Sequence, residues 1–383
     1  MNSRKNFYRI FLMIGFIVFM FKGTTSYASE FNFAVHPVIP TNQVDKNKTY
    51  FDLKMDPGQK QTVDVQLKND TDKEIIVEAT IDSATTNLNG VVEYGQNQIK
   101  PDDSLKYNIA DYAKITKDIK IPAKDVIKVP VELTMPTDKY DGVMAGGITF
   151  KEKKTDDSPQ SKDKGLAIKN EYSYVIALLM RQNENTVEPD LKLLNASAGQ
   201  VNARNVINVQ LQNPVARYIN QLKLTGEIIK KGDDKVKYII DAESLQMAPN
   251  SSFNYPVSLD GKRLEPGDYQ LKLTAYGNKS ADGKNKVANA KGEELKFLNK
   301  WDFEKEFSIS GEVAKKYNEK DVSIEETNHT PIYWIIGLLL LIIALLLLFL
   351  LWKKKKKKEQ EMAKKKSKKK KSKKKKKNKV EKK

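Results

Sequence analysis

Cysteine does not occur among the 383 residues, and histidine occurs only at His36 and His329. Without thiols no disulfide can staple an exported domain, so each fold must hold through its own core. An exported eukaryotic chain of this size would ordinarily carry such bridges, and their absence favours a bacterial surface protein. So sparse a set of histidines, with no cysteine, leaves no zinc site, no Ser-His-Asp or Cys-His triad and no two-His metal triad. Glycine-rich phosphate loops are missing too. What is left to catalysis is carboxylate chemistry or a Ser-Lys pair. Asp102 and Asp103 in "KPDDSLKY" are adjacent acids, but neighbouring loop carboxylates rarely reach the separation that glycoside hydrolysis needs. They are expected instead to cap a short helix within residues 101–114. No catalytic residue, metal or cofactor is expected.

Acidic balance is also lacking at first sight, since the net charge is +18. Residues 353–383, however, hold 21 lysines and three glutamates, which equals that whole excess. Once the N-terminal Arg4, Lys5, Arg9 and Lys22 are also removed, residues 29–352 sum to −4. Basicity is therefore a property of the tail, not of a nucleic-acid-binding fold. The tail has no aromatic residues for base stacking, and it reads as a stop-transfer signal lying on anionic lipid.

Two apolar runs frame the chain. Residues 10–21 follow a basic start and precede small residues at Ser26 and Ala28, the pattern of a secretory signal peptide over residues 1–28. Residues 332–352 carry no charge, with Tyr333 and Trp334 at one end and Trp352 at the other. Their 21 residues, as a helix, match a hydrocarbon core of about 30 Å. Lysines follow on the C-terminal side only, so the positive-inside rule places the tail in the cytoplasm and the bulk of the chain outside.

Between these runs the apolar residues alternate with period two. Val63, Val65 and Leu67 do so, as do Val129, Val131 and Leu133; Ile207, Val209 and Leu211; and Tyr269, Leu271 and Leu273. Asn-Gly, Asp-Gly and Pro-Gly turns separate them. Many short strands at this spacing predict an all-β fold built of β-sandwiches. The stretch "VDVQLKNDTDKEIIVEATI" aligns with "INVQLQNPVARYINQLKLTGEI" as strand, Asn-led turn, strand. Further on, strands expected to begin at Pro130-Val131 and Pro256-Val257 lead into Gly-containing turns and closing strands. Two related sandwiches with different loops are therefore expected.

Their boundary is set by one strand. The charged stretch at residues 151–165 resembles a linker, which would place the break near 160–165. Yet "YSYVIALLMRQ" is the most apolar strand outside the membrane run and "GGITF" lacks a partner without it. Pairing residues 146–150 with 174–180 gives a first domain at 30–186 (core 32–153, final strand 172–182) and a second at 187–310. A linker at 311–331, a membrane helix at 332–352 and a lysine-rich tail at 353–383 complete the expected order. Gly142 is expected in a turn, and Gly146 and Gly147 at a bend or bulge. Trp301 is expected in the core of the last strand rather than as a sugar platform.

Taken together, "FAVHPVIPTNQVDKNKTYFDLKMDPGQKQTVDVQLKNDTDKEIIVEATI", "VPVELTMPTDKYDGVMAGGITF", "YSYVIALLMRQ", "LEPGDYQLKLTA" and "WDFEKEFSI", framed by signal and anchor, resemble the WxL-interacting protein family of Gram-positive bacteria. The resemblance implies two immunoglobulin-like modules, the first binding peptidoglycan and the second host ligands, alongside surface proteins with WxL domains. It assigns no ligand-binding residue. An extracytoplasmic chaperone for exported surface proteins, or a cytoplasmic scaffold working through the tail, fits the same composition.

Overall fold

The computed structural model describes residues 32–153, 172–233, 236–324 and 330–380. The expected signal peptide, most of the charged stretch at 151–165 and His329 lie outside them. The first sandwich contains β1 (Phe33–Pro37), β2 (Phe51–Lys54), β3 (Lys60–Asn69), β4 (Ile75–Ser83), β5 (Thr85–Thr86), β6 (Val92–Glu93), β7 (Ala113–Ile115), β8 (Asp118–Ile121), β9 (Val126–Thr134), β10 (Met144–Glu152) and β11 (Ser173–Arg181). Sheet order β1-β3-β9-β7 faces sheet order β2-β11-β10-β4-β8, and β5 with β6 forms a small hairpin outside both.

Period-two patterning sets this register. Val63 and Val65 of β3 pair with Val131 and Val129 of β9 and point inward. Val77, Ile148, Phe150, Leu178 and Met180 meet them from the opposite sheet in one buried cluster. Each such side chain, fully buried, contributes about 1.5–3 kcal/mol. Strand β11 runs antiparallel to β10 with Gly146 opposite Leu178 and Phe150 opposite Tyr174, so "GGITF" has the partner expected for it.

The second sandwich contains β12 (Lys192–Val201), β13 (Arg204–Asn213), β14 (Ile219–Lys230), β15 (Val236–Met247), β16 (Ser251–Ser258), β17 (Gly267–Lys279), β18 (Asn285–Ala288) and β19 (Glu294–Ile309). Its sheets are β12-β13-β16 and β15-β14-β17-β19-β18. The frame of the first sandwich recurs strand for strand. The order β1-β3-β9 matches β12-β13-β16, and β11-β10-β4-β8 matches β19-β17-β14-β15. By this correspondence β11 is the closing strand of the first sandwich, as β19 is of the second.

Both Asn-led turns are built alike. Asn69 is fully buried and its amide donates to the carbonyls of Lys73, Ile121 and Pro122 while its oxygen accepts from Thr71 N. Asn213, equally buried, donates to the carbonyls of Arg217 and Ala248. The proline positions differ from expectation. Strand β9 begins four residues before Pro130, and β16 five before Pro256, so each proline sits inside its strand. Proline lacks the N–H of a ladder bond and is tolerated where a strand is an edge or is covered only in part. Strand β16 is an edge, and β7 covers only Val131 to Leu133 of β9.

Residues 101–114 contain no α-helix, only a 3₁₀ turn at Ile109–Asp111 whose cap is Asn108. Asp102 instead accepts from the backbone N–H and hydroxyl of Ser104, closing its own turn. The expected linker at 311–331 also differs. Helix α1 (Gly311–Asn318), capped by Ser310, buries Ala314 in the second core. Asn318 then ties the chain down, accepting from Asn205 Nδ2 and Leu264 N and donating to Leu264 O. The two sandwiches form one compact unit ending at Val322. A separate unit contains helix α2 (Thr330–Val380). Within it, Tyr333–Met362 is the one helical stretch among the described residues long and apolar enough to cross a membrane.

Candidate functional site

Of the three glycines that the sequence singled out, Gly142 precedes strand β10, and Gly146 and Gly147 lie within it. Strand β10 is regular on both sides, without the bulge expected at its glycines. What the glycines supply is room. A β-carbon on Gly146 would lie 2.4 Å from Asp82 O, and one on Gly147 would lie 2.5 Å from Tyr94 O. The loop after β6 thus rests directly on β10, and the glycine pair serves packing rather than ligand approach.

Gly142 has φ +97°, and a β-carbon there would meet Ala216 O of the second sandwich at 2.2 Å. Next to it, Val143 N donates to that same carbonyl at 2.8 Å. Around this contact Ala84, Val92, Val143, Ala145, Leu179 and Ala248 form a small buried cluster flanked by Tyr50, Tyr94 and Tyr218. Hydrogen bonds from Ala248 N to Thr86 Oγ1 (3.0 Å), Gln246 N to Gly90 O (2.7 Å) and Gln212 Nε2 to Asp102 (2.8 Å) extend the junction. Burial alone would raise the Asp102 carboxyl, but hydrogen bonds from Ser104, Ser252 and Gln212 outweigh it and hold it below the usual aspartate value. Asp103 shares none of these bonds in the structure, so the adjacent acids do not act as a pair.

Two open grooves lie on equivalent faces of the sandwiches. On the first, Tyr50, Tyr94, Glu93 and Gln96 rise beside β11 over a floor of Val175, Ile176 and Ala177, enclosing ≈ 530 Å³. Tyr94 Oη donates to Tyr218 Oη at 3.2 Å, and burial pushes both hydroxyls above the usual tyrosine value. Glu93 accepts from Asn87 Nδ2 at 2.7 Å and from Asn97 Nδ2 at 3.1 Å, which fixes its carboxylate.

On the second sandwich the outer face of β15, β14, β17 and β19 carries a groove of ≈ 600 Å³ lined by Thr225, Glu227, Ile239, Lys272, Asp302 and Glu304, among others. Ile239 is 77% exposed there. On the same face Lys223, only 1% exposed, bonds Asp241 at 2.6 Å and Glu243 at 2.9 Å. Burial works against its charge, yet these carboxylates raise its pKa on balance. Trp301, expected in the core, is partly buried and packs against the second core.

No cluster of three or more His, Asp or Glu side chains suited to a metal occurs among the described residues. His36 sits in β1, at the edge of its sheet. The grooves themselves could not be read from sequence, because the first joins a loop to a strand about 80 residues away and the second spans four strands brought together only by the fold.

Two family models match the chain. "WxL Interacting Protein, peptidoglycan binding domain" matches residues 33–152, and "WxL Interacting Protein, host binding domain" matches residues 163–319. A comparison with curated proteins finds no match. Among solved structures, the class 5 fimbriae chaperone CfaA is similar at 16% identity over 70% of this chain and 100% of that one, with a TM-score of 0.27. The E. coli chaperone DraB is similar at 15% identity over 73% and 98%, with a TM-score of 0.24. At these scores the likeness carries no inference about what this chain binds.

Proposed function

The chain belongs to the WxL Interacting Protein family, and from that premise we propose a membrane-anchored surface protein whose first sandwich binds peptidoglycan and whose second binds a host ligand. The observation that supports this reading is that the peptidoglycan-binding model matches β1 to β10 of the first sandwich, at residues 33–152, while the host-binding model, at 163–319, matches the whole second sandwich together with β11. Both family modules are named for binding, not for catalysis. Surface proteins with WxL domains, which the family name implies, are the third partner, and exposed sheet edges such as β1, β8 and β12 offer them strand addition.

We place the working boundary between the modules near residues 184–190, not at 163. Strand β11 lies between β2 and β10 in the first sandwich, so a module lacking it has an opened core. The apolar part of α2 is the single-pass anchor, with the lysine-rich tail cytoplasmic. Anchoring in the membrane raises the effective concentration of the binding modules at the wall, so weak contacts with wall strands gain from it.

Protease added to intact protoplasts tests the topology: it should remove the sandwiches and spare the tail. Co-sedimentation of the detergent-solubilised full-length protein with purified sacculi tests the ligand. Saturable binding is expected, and no binding would overturn the assignment to the wall.

A further inference from the structure

We propose that the groove over β11 is the glycan subsite of the first sandwich and takes a neutral N-acetylated sugar unit. The proposal rests on the peptidoglycan reading above and names its site. Val175 is 44% exposed on the groove floor, an apolar residue left open on the outer face of a strand whose other face is core. The open groove's ≈ 530 Å³ falls within the range of about 300–1,000 Å³ typical of small-ligand sites.

The walls are set before any ligand arrives. Tyr50 and Tyr94 pack on the buried junction cluster, and Tyr218 of the second sandwich holds the Tyr94 hydroxyl. Rings fixed in this way lose little freedom on binding. A pyranose presents an apolar C–H face and a polar edge, and this groove offers the matching pair of surfaces. Tyrosine rings and Val175 meet the face. Glu93, oriented by Asn87 and Asn97, and the exposed Gln96 and Thr49 meet hydroxyl and acetamido groups at the edge.

Charge selects among the parts of the wall. Among the described residues lining the groove, Glu93 is the one acidic or basic side chain, and it brings negative charge. It repels the carboxylates of stem peptides and the phosphates of wall polymers, while an uncharged sugar makes a hydrogen bond to it. Beside the floor, opposite Val175 on β10, Thr149 Oγ1 is buried without a hydrogen-bond partner, 3.1 Å from where a β-carbon on Gly95 would stand. The loop above therefore sits tightly on β10, and the groove keeps its shape.

Full-length protein in detergent is titrated with N-acetylated chitotetraose, with a free stem tetrapeptide and with purified sacculi. Val175→Glu fills an exposed position with charge, and Gln96→Lys alters the rim; unchanged thermal melting shows both still fold. Val175→Glu is expected to weaken sacculus and chitotetraose binding at least tenfold, Gln96→Lys several-fold, and Ile239→Glu in the other groove not at all. Sacculus binding by the parent protein that survives Val175→Glu unchanged overturns the groove while leaving the peptidoglycan reading intact. Absence of sacculus binding in the parent protein removes both. Competition by the stem peptide but not by chitotetraose overturns the sugar assignment.

Discussion

Asn69 and Asn213 stand at the same corner of their two sandwiches, both without solvent exposure, each stitching the turn between strands of opposite sheets to a neighbouring loop. The outer faces near the closing strands are unlike. In β11 that face carries Val175 and Ala177 beneath two tyrosines, whereas in β19 the equivalent face carries Asp302, Glu304 and Glu306 beside Lys272. The shared corner is buried and bound by hydrogen-bond satisfaction, since an unpaired buried amide costs about 1–3 kcal/mol. Outer faces escape that constraint. One frame can thus present an apolar aromatic groove on one copy and a charged sheet on the other.

The sharpest break in the comparison is Leu178→Asp in β11, which puts a charge at a fully buried position of the first core. It is expected to cost about 4 kcal/mol or more and to unfold the first sandwich. Proteolysis of that variant should cut within residues 32–186 and leave 187–322 protected. Cutting confined to the second sandwich would show that β11 belongs there after all. Gly142→Val comes next, adding a side chain at positive φ against Ala216 O. The strained backbone alone costs about 1–3 kcal/mol, and calorimetry should show one cooperative transition resolving into two as the sandwiches uncouple.

Asn69→Ala and Asn213→Ala sharpen the likeness. Each is expected to lose about 1–3 kcal/mol in denaturant titration, and the two losses should be similar; a neutral effect at one corner would mean that the frames are less alike than their strand orders. The smallest effect concerns pH. Hydrogen bonds hold Asp102 below its ordinary pKa, so its contribution is fully present above about pH 4. It is lost as the pH falls through the lowered folded value. Acid titration of junction stability should show this loss, and Asp102→Asn should flatten it.

Much of the frame was legible in the sequence because period-two alternation and burial are the same physical fact seen twice. Val63, Val65 and Leu67 point inward for the reason that they alternate. The pairing of β10 with β11 followed from two apolar strands that each needed cover. Other features hid because they depend on contacts distant in sequence. The charged, glycine-led segment at Gly311–Asn318 reads as linker, yet Ala314 and Asn318 dock it on the second core. Gly146 and Gly147 suggested a bulge, but crowding by Asp82 and Ile109 at the first and by Tyr94 at the second decides their role, and no local pattern announces it. The grooves were illegible for the same reason: Tyr50, Tyr94 and Val175 meet only once the sheets have formed.

Hydrogen exchange on the full-length protein, measured with and without purified sacculi, tests the division of labour between the sandwiches most directly. The account predicts slowed exchange in residues 49–50, 93–96 and 173–177, with the outer face of β14, β17 and β19 unchanged. Protection confined to that second face, with the β11 groove exchanging as freely as before, would contradict it.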